Sequence, residues 1–139
     1  MGIEPGVYNI NSANNGYAVM MYGNDAEGIP MVGVDGANGQ TQFIVQEARP
    51  GSNTYTVKST RYKYNIGADK DNLQQKNFPF TVLGTFEWAI EPAGPDLYKI
   101  HIPNMNAYWF LPDGPSQTRV LIKGSEGRPE EVWEMIKVD

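Results

Sequence analysis

Apolar and aromatic positions recur three times, in the same order, along the 139-residue chain. Each copy opens on a Tyr-x-aliphatic triplet and closes on an aromatic-x-aliphatic or aromatic-x-Met triplet. The opening triplets are Tyr8-Asn9-Ile10, Tyr55-Thr56-Val57 and Tyr98-Lys99-Ile100, and the closing triplets are Phe43-Ile44-Val45, Trp88-Ala89-Ile90 and Trp133-Glu134-Met135. A period of about 40 to 50 residues is typical of repeat architectures, in which each unit buries its apolar face against its copies. The pattern therefore predicts a threefold internal repeat.

Within each repeat, polar and apolar residues alternate with a period of two, which favours β-strands over helices. Tyr55 and Val57, for example, alternate with polar neighbours, and 15 Gly and 10 Pro residues interrupt the chain too often for long helices. We predict four short strands per repeat. In the first repeat the strands lie around Tyr8 and at 17–21, 30–34 and 42–46. In the second they lie around Tyr55 and at 63–66, 78–82 and 86–91, and in the third around Tyr98 and at 107–111, 118–122 and 132–136.

Twelve strands in three equivalent sets predict an all-β fold of the β-trefoil class, because closing the sheet into a barrel removes unpaired strand edges. The whole chain, 1–139, is then one domain with repeats at about 6–48, 53–92 and 96–138. Only one face of each strand meets the barrel axis. The repeated residues are the predicted core: Tyr8, Ile10, Phe43, Val45, Tyr55, Val57, Trp88, Ile90, Tyr98, Ile100, Trp133 and Met135.

Composition narrows the possible partners. A net charge of -5 and a pI of about 4.8 argue against nucleic-acid binding, which needs clustered Lys and Arg. No apolar stretch is long enough for a membrane span, and the absence of cysteine and of a signal-peptide pattern leads us to expect a cytoplasmic protein. The basic residues between 58 and 76 are expected to form a solvated hairpin or, as the alternative, a patch that meets an acidic partner.

The chain has few groups for catalysis. One histidine and no cysteine leave no Ser/His/Asp set, no Cys/His pair and no zinc cluster, so we expect neither an enzyme nor a metal or other cofactor. His101 is expected to be a surface or hydrogen-bonded residue of its strand. Glu130 and Glu131 are adjacent acids in a turn, and such pairs are usually solvated. Function is therefore expected in the loops, above all 22–29 and 124–131.

Three segments resemble a known group of proteins. The beginning of the chain (3–10), the segment 87–92 and the end (132–139) look like the mushroom β-trefoil proteins, and the last third resembles the fungal serine protease inhibitors of the cospin and cnispin type. The resemblance implies a non-enzymatic defence or regulatory protein, a monomer or homodimer, whose rigid loop enters a protease cleft. The loop residues it makes candidates are Asn24, Asp25, Ala26, Glu27, Gly28, Ile29, Lys123, Glu126, Arg128 and Pro129.

In that family a basic residue of the loop enters the specificity pocket of trypsin. Here the 22–29 loop contains no Lys or Arg, and Pro129 follows Arg128, where a proline disturbs main-chain pairing with the protease. Lys123, or an uncharged or acidic residue such as Glu27 acting on a different protease, is the remaining choice.

A second family shares part of this pattern. Fungal ricin-B-type lectins also open on Pro-Gly-x-Tyr-x-Ile, as residues 5–10 do here. This resemblance implies a glycan partner instead of a protease, bound at a non-standard site by stacking and amide contacts. The residues expected there are Tyr22, Asn24, Tyr108, Trp109 and Asp113.

Overall fold

The computed structural model describes residues 3–23, 26–36, 40–61 and 63–138. Thirteen strands form in these residues. They are β1 (Gly6–Ser12), β2 (Ala18–Met21), β3 (Met31–Val34) and β4 (Gln42–Glu47) in the first repeat; β5 (Thr54–Ser59), β6 (Asn65–Gly67), β7 (Phe80–Val82) and β8 (Trp88–Gly94) in the second; and β9 (Leu97–His101), β10 (Tyr108–Phe110), β11 (Thr118–Arg119), β12 (Leu121–Lys123) and β13 (Trp133–Lys137) in the third. A short 3-10 helix, Pro129–Glu131, precedes β13.

Six of these strands close into an antiparallel barrel in the order β1, β13, β9, β8, β5, β4 and back to β1. The strand register explains the repeated triplets. Within each repeat, the opening tyrosine lies opposite the closing aromatic residue, as in Tyr8↔Phe43 and Tyr55↔Trp88. The aliphatic position of each opening triplet instead pairs with the neighbouring repeat, as in Ile10↔Met135, Val45↔Val57 and Ile90↔Ile100. Each repeat therefore completes its core only against the other two.

Three hairpins, β2–β3, β6–β7 and β10–β12, cover one end of the barrel. Backbone bonds join them: Met31 N–H donates to Pro79 O at 3.2 Å, and Ile122 N–H donates to Asn77 O at 2.7 Å. Between the hairpins and the barrel, Trp109 stands edge-on to Trp88 at 5.3 Å and to Trp133 at 5.9 Å between ring centroids. Each repeat thus contributes one pair of barrel strands and one hairpin.

The predicted core is confirmed with one difference. All of its residues are buried except Tyr98, which is half-buried and packs against the others. The predicted strand count is wrong by one, because the strand expected at 118–122 divides at Val120. That N–H donates to Met31 O at 3.0 Å, while β11 pairs with β3 and β12 pairs with β10. Within the described ranges, no helix is long and apolar enough to cross a membrane.

Candidate functional site

The loop between β12 and β13 is fastened to the body of the protein by Glu131. This residue belongs to the 3-10 helix and is fully buried. One of its carboxylate oxygens, Oε1, accepts a hydrogen bond from the Ser125 hydroxyl, and the other, Oε2, accepts one from the Glu126 N–H at 2.9 Å. The Ser125 N–H donates in turn to Asn106 Oδ1 at 2.9 Å. The outward-facing residues 125 and 126 are therefore held from the inside by polar contacts.

A buried carboxylate needs compensation for its lost hydration. Burial alone would raise the pKa of Glu131, but the hydrogen bonds from Ser125 and Glu126 and the ammonium of Lys99, 3.3 Å from Oε1, together hold that pKa below its usual value. Glu131 is thus ionised at neutral pH. The sequence-based expectation that Glu130 and Glu131 are solvated is wrong for both, since both are buried.

The Arg128 side chain is already paired. Its Nε lies 3.2 Å from Glu130 Oε1, and a terminal nitrogen lies 2.7 Å from Glu130 Oε2, which is a two-point ion pair. These contacts raise the pKa of Arg128 and lower the pKa of Glu130. The backbone of Arg128 is extended, but Pro129 then begins the 3-10 helix, and Gly127 before it has φ +68°. Residues 126 and 128 therefore cannot belong to one continuous extended strand.

Lys123 lies in β12 rather than in the loop. Its ammonium lies 4.4 Å from the centroid of the Phe110 ring and 3.4 Å from Glu126 Oε2. The side chain is half-buried by this packing. Because its charge is already held by a ring and a carboxylate, Lys123 is poorly placed to project into a deep protease pocket.

The loop from 22 to 29 has a similar internal fastening. Thr81 of β7 is fully buried, and its hydroxyl donates to Ala26 O and accepts from the Ile29 N–H at 2.8 Å. The Thr81 carbonyl accepts from the Gly28 N–H at 2.8 Å. Ala26 is partly covered, Glu27 and Gly28 are exposed, and Ile29 is partly buried. The candidate residues Asn24 and Asp25 lie outside the described residues.

The described residues among those expected to bind a glycan do not form one exposed surface. Trp109 is wrong as a stacking platform, because its ring is fully buried between Trp88 and Trp133. Tyr108 is half-buried, and its ring lies 4.6 Å from that of His101. The carboxylate of Asp113 accepts a hydrogen bond from Asn14 Nδ2 at 2.6 Å. Tyr22, by contrast, is 51% exposed.

His101 is buried rather than on the surface. Its Nδ1 lies 2.9 Å from Ile102 O, and its Nε2 lies 3.3 Å from a carboxylate oxygen of Glu91. Within the described parts of the chain, no group of three or more His, Cys, Asp or Glu side chains is arranged to hold a metal ion.

A groove of about 460 Å³ between the second and third repeats was not anticipated from the sequence. Its lining residues are Lys70, Thr85, Phe86, Glu87, Ile102, Pro103 and Asn104. The Glu87 carboxylate is oriented by two bonds from Arg49, at 2.9 and 3.1 Å, and by the Thr54 hydroxyl at 2.8 Å. Arg49 and Thr54 hold the pKa of Glu87 below its usual value. The groove therefore combines a fixed carboxylate with a phenyl ring and an amide.

Three features of the candidate site are not predicted by the sequence. They are the groove beside Glu87 and the hydrogen bonds by which Glu131 and Thr81 each fasten a loop. Glu131 comes just before the closing Trp133-Glu134-Met135 triplet. Its position next to this core triplet is the one sequence feature that indicates burial. Thr81 follows the ordinary alternation of polar and apolar residues in its strand, so its sequence position does not indicate its role. The groove joins segments from two repeats, so spacing along the chain could not reveal it.

Comparisons with known proteins agree on the architecture. No family model matches the chain, and no curated protein sequence matches it. Among solved structures, the chain is similar to a ricin B-like lectin of Macrolepiota procera solved with lactose (18% identity, TM-score 0.82, covering 99% of this chain and 100% of the lectin). It is also similar to the Rhizoctonia solani agglutinin (14% identity, TM-score 0.86, 99% of each chain).

A proteinase inhibitor from Coprinopsis cinerea also matches, with 15% identity and a TM-score of 0.76, over 99% of this chain and 100% of the inhibitor. Lectins and an inhibitor therefore share this architecture with the chain. Identities this low establish the fold, while function depends on the site built on it. The closed six-stranded barrel, its three covering hairpins and these likenesses together identify the chain as a β-trefoil.

Proposed function

We propose that the protein is a protease inhibitor that presents the loop 124–128 to the cleft of its target. The observation that carries this proposal is the fastening of Ser125 and Glu126 by the buried Glu131 carboxylate. A loop that is already ordered loses little conformational freedom on binding, so more of the contact energy appears as affinity. The similarity to the Coprinopsis cinerea proteinase inhibitor supports the same proposal at the level of the fold.

The geometry favours Glu126 as the residue that enters the specificity pocket. Its N–H is fixed by Glu131, and its side chain is 47% exposed. Its carboxylate pairs with the Lys123 ammonium at 3.4 Å, but this pair lies at the surface, where an ion pair contributes little and is readily exchanged for a contact in the target pocket. Arg128 is paired with Glu130 and followed by Pro129, and Lys123 packs on Phe110. The target is therefore a protease that accepts an acidic residue, and trypsin-like enzymes are poor targets.

The test is a titration of residual protease activity. The panel comprises a glutamate-specific serine protease, trypsin, chymotrypsin, elastase and a papain-type cysteine protease. We expect inhibition of the glutamate-specific enzyme and at least a tenfold weaker effect of the Glu126→Ala variant, because the pocket loses its charged partner. Glu27→Ala, in the other loop, is the matched control and keeps full inhibition. No inhibition of any panel member at micromolar protein refutes the proposal.

A second candidate function, saccharide binding, is favoured by the groove beside Glu87. Sugar sites combine hydrogen-bond acceptors fixed in place with an aromatic surface, and this groove offers Glu87, Asn104 and Phe86. A glycan array probes it directly. Binding that is lost in Phe86→Ala and kept in Tyr108→Ala supports the groove, whereas an array without any hit rejects it.

A further inference from the structure

A second, smaller depression lies on the outer face of the sheet formed by β2, β3 and β11. Its volume is about 160 Å³, and it is lined by Tyr22, Pro30, Val32, Gln117 and Arg119. Val32 pairs with Met20 of β2 on one side and with Arg119 of β11 on the other, so these three residues form a row across the sheet. The depression thus has an apolar floor, an aromatic residue at one edge, and an amide and a guanidinium at the other.

Arg119 brings to this site a positive charge that has no ion-pair partner among the described residues. The guanidinium carbon lies 4.3 Å from the centroid of the Phe78 ring, and no carboxylate of the described residues lies within ion-pair distance. Lys76 is in the same situation, with its ammonium 4.2 Å from the Phe80 ring. In the described parts of a chain with net charge -5, these two cations therefore have no acidic partner. Stacking on the ring holds the guanidinium in place and leaves its N–H edge available to an anion.

Gln117 is held in a conformation that glutamine seldom adopts. Its φ is +78°, in the left-handed region, and its N–H donates to Gly33 O at 2.6 Å. Outside glycine, this region is populated mainly by Asn and Asp, and strain of this kind gathers at functional sites. The residue is exposed, so packing does not require a glutamine here.

Tyr22 completes the opposite edge. Its N–H donates to Pro30 O at 2.8 Å, which extends the β2–β3 pairing by one residue and fixes the backbone. The residue is 51% exposed, and it is the one aromatic among the exposed large apolar residues of the described ranges. An aromatic face beside a small apolar floor suits the ring of a saccharide.

We propose that this depression binds a monosaccharide unit that carries a carboxylate, such as a hexuronic acid. Arg119 takes the carboxylate through two parallel N–H bonds, the Gln117 amide bonds to ring hydroxyls, and Tyr22 covers one face of the sugar ring. The positive charge selects an acidic sugar over a neutral one. The proposal is independent of protease inhibition, because none of the lining residues belongs to the loop 124–128.

The protein is titrated with methyl β-D-glucuronide and, in a parallel experiment, with its neutral counterpart methyl β-D-glucoside. Binding is followed by the NMR signals of the backbone amides and of the Arg Nε groups. We expect the glucuronide to shift the signals of residues 22, 117 and 119, with binding that weakens as salt is added. Arg119→Gln weakens glucuronide binding about tenfold or more, because the charged two-point contact with the carboxylate is lost. Arg61→Gln, an exposed arginine elsewhere on the surface, leaves binding unchanged.

Gln117→Gly separates binding from folding. Glycine adopts the positive φ without strain and keeps the N–H bond to Gly33, so the variant folds at least as well as the wild type and binds the glucuronide about threefold more weakly. Equal binding of glucuronide and glucoside, an unchanged affinity in Arg119→Gln, or shifts confined to other surfaces would overturn the proposal. So would preferential binding of a short peptide through its terminal carboxylate. Protease inhibition by Arg119→Gln stays at the wild-type level in every case.

Discussion

Replacing Glu131 by glutamine tests the internal fastening of the loop. In the wild type, Oε1 faces the Ser125 hydroxyl and the Lys99 ammonium, and Oε2 faces the Glu126 N–H. The glutamine amide must place its NH2 group at one of these two positions. It then opposes either the Lys99 ammonium or the Glu126 N–H, so one buried donor faces another donor in both orientations.

The size of the effect follows from these contacts. A hydrogen bond to a charged acceptor contributes roughly 1.5–3 kcal/mol, and breaking a buried ion pair costs about 3–5 kcal/mol at its fullest. Lys99 is one-third exposed, so water replaces part of its share. We expect Glu131→Gln to lose about 3 kcal/mol of unfolding free energy, which lowers Tm by about 10 °C in a domain of this size.

Thermal unfolding followed by circular dichroism measures this difference, with Glu126→Gln as the control. That variant keeps the backbone N–H bonded to Glu131 and changes an exposed side chain, so its Tm stays within about 2 °C of the wild type. Inhibition by Glu131→Gln weakens together with its stability. A Tm decrease below about 3 °C for Glu131→Gln would refute the fastening role assigned to this carboxylate.

Three further outcomes are expected. Because the folded-state pKa of Glu131 lies below its unfolded value of about 4.3, its stabilisation is complete above that pH and is lost as the pH falls further; Tm of the wild type therefore falls more steeply than that of Glu131→Gln between pH 5 and 3. Thr81→Val removes the hydroxyl bound to Ile29 and costs about 1–3 kcal/mol by urea unfolding, with faster amide exchange at Ile29. Ile10→Ala, in the barrel, costs about 2–5 kcal/mol by the same measurement, while the exposed Ile136→Ala costs under about 0.5 kcal/mol.

The fold could largely be predicted from the sequence, because each of the three repeats must bury apolar residues at the same barrel positions. Ile10, Val57 and Ile100 occupy equivalent barrel positions, so three weak signals reinforce one another. The sequence predicts one strand through Val120, because nothing in the identity of this residue shows where the strand divides. Its N–H bonds to Met31, while the following strand β12 pairs with β10.

The candidate site was harder to predict than the fold, because the residues that form it occur in only one of the three repeats. Glu131 has no counterpart in the other repeats, and its burial depends on donors from Ser125, Glu126 and Lys99, which lie elsewhere in the chain. Trp109 is also unmatched, with smaller residues at the equivalent hairpin positions, and the resemblance to ricin-B-type lectins makes it a candidate for stacking on a glycan. The structure shows instead that it fills the space between barrel and hairpins.

The pairing of β1 with β13 has a consequence for the making of the protein. Five residue pairs, from Tyr8↔Lys137 to Ser12↔Trp133, close the barrel between β1 and β13. During synthesis β1 gains this partner only after the residues between the two strands have been made. A chain cut before residue 133 would leave an open strand edge around Ile10, ready to pair with other copies. The strand 133–137 therefore protects β1 from edge-to-edge association.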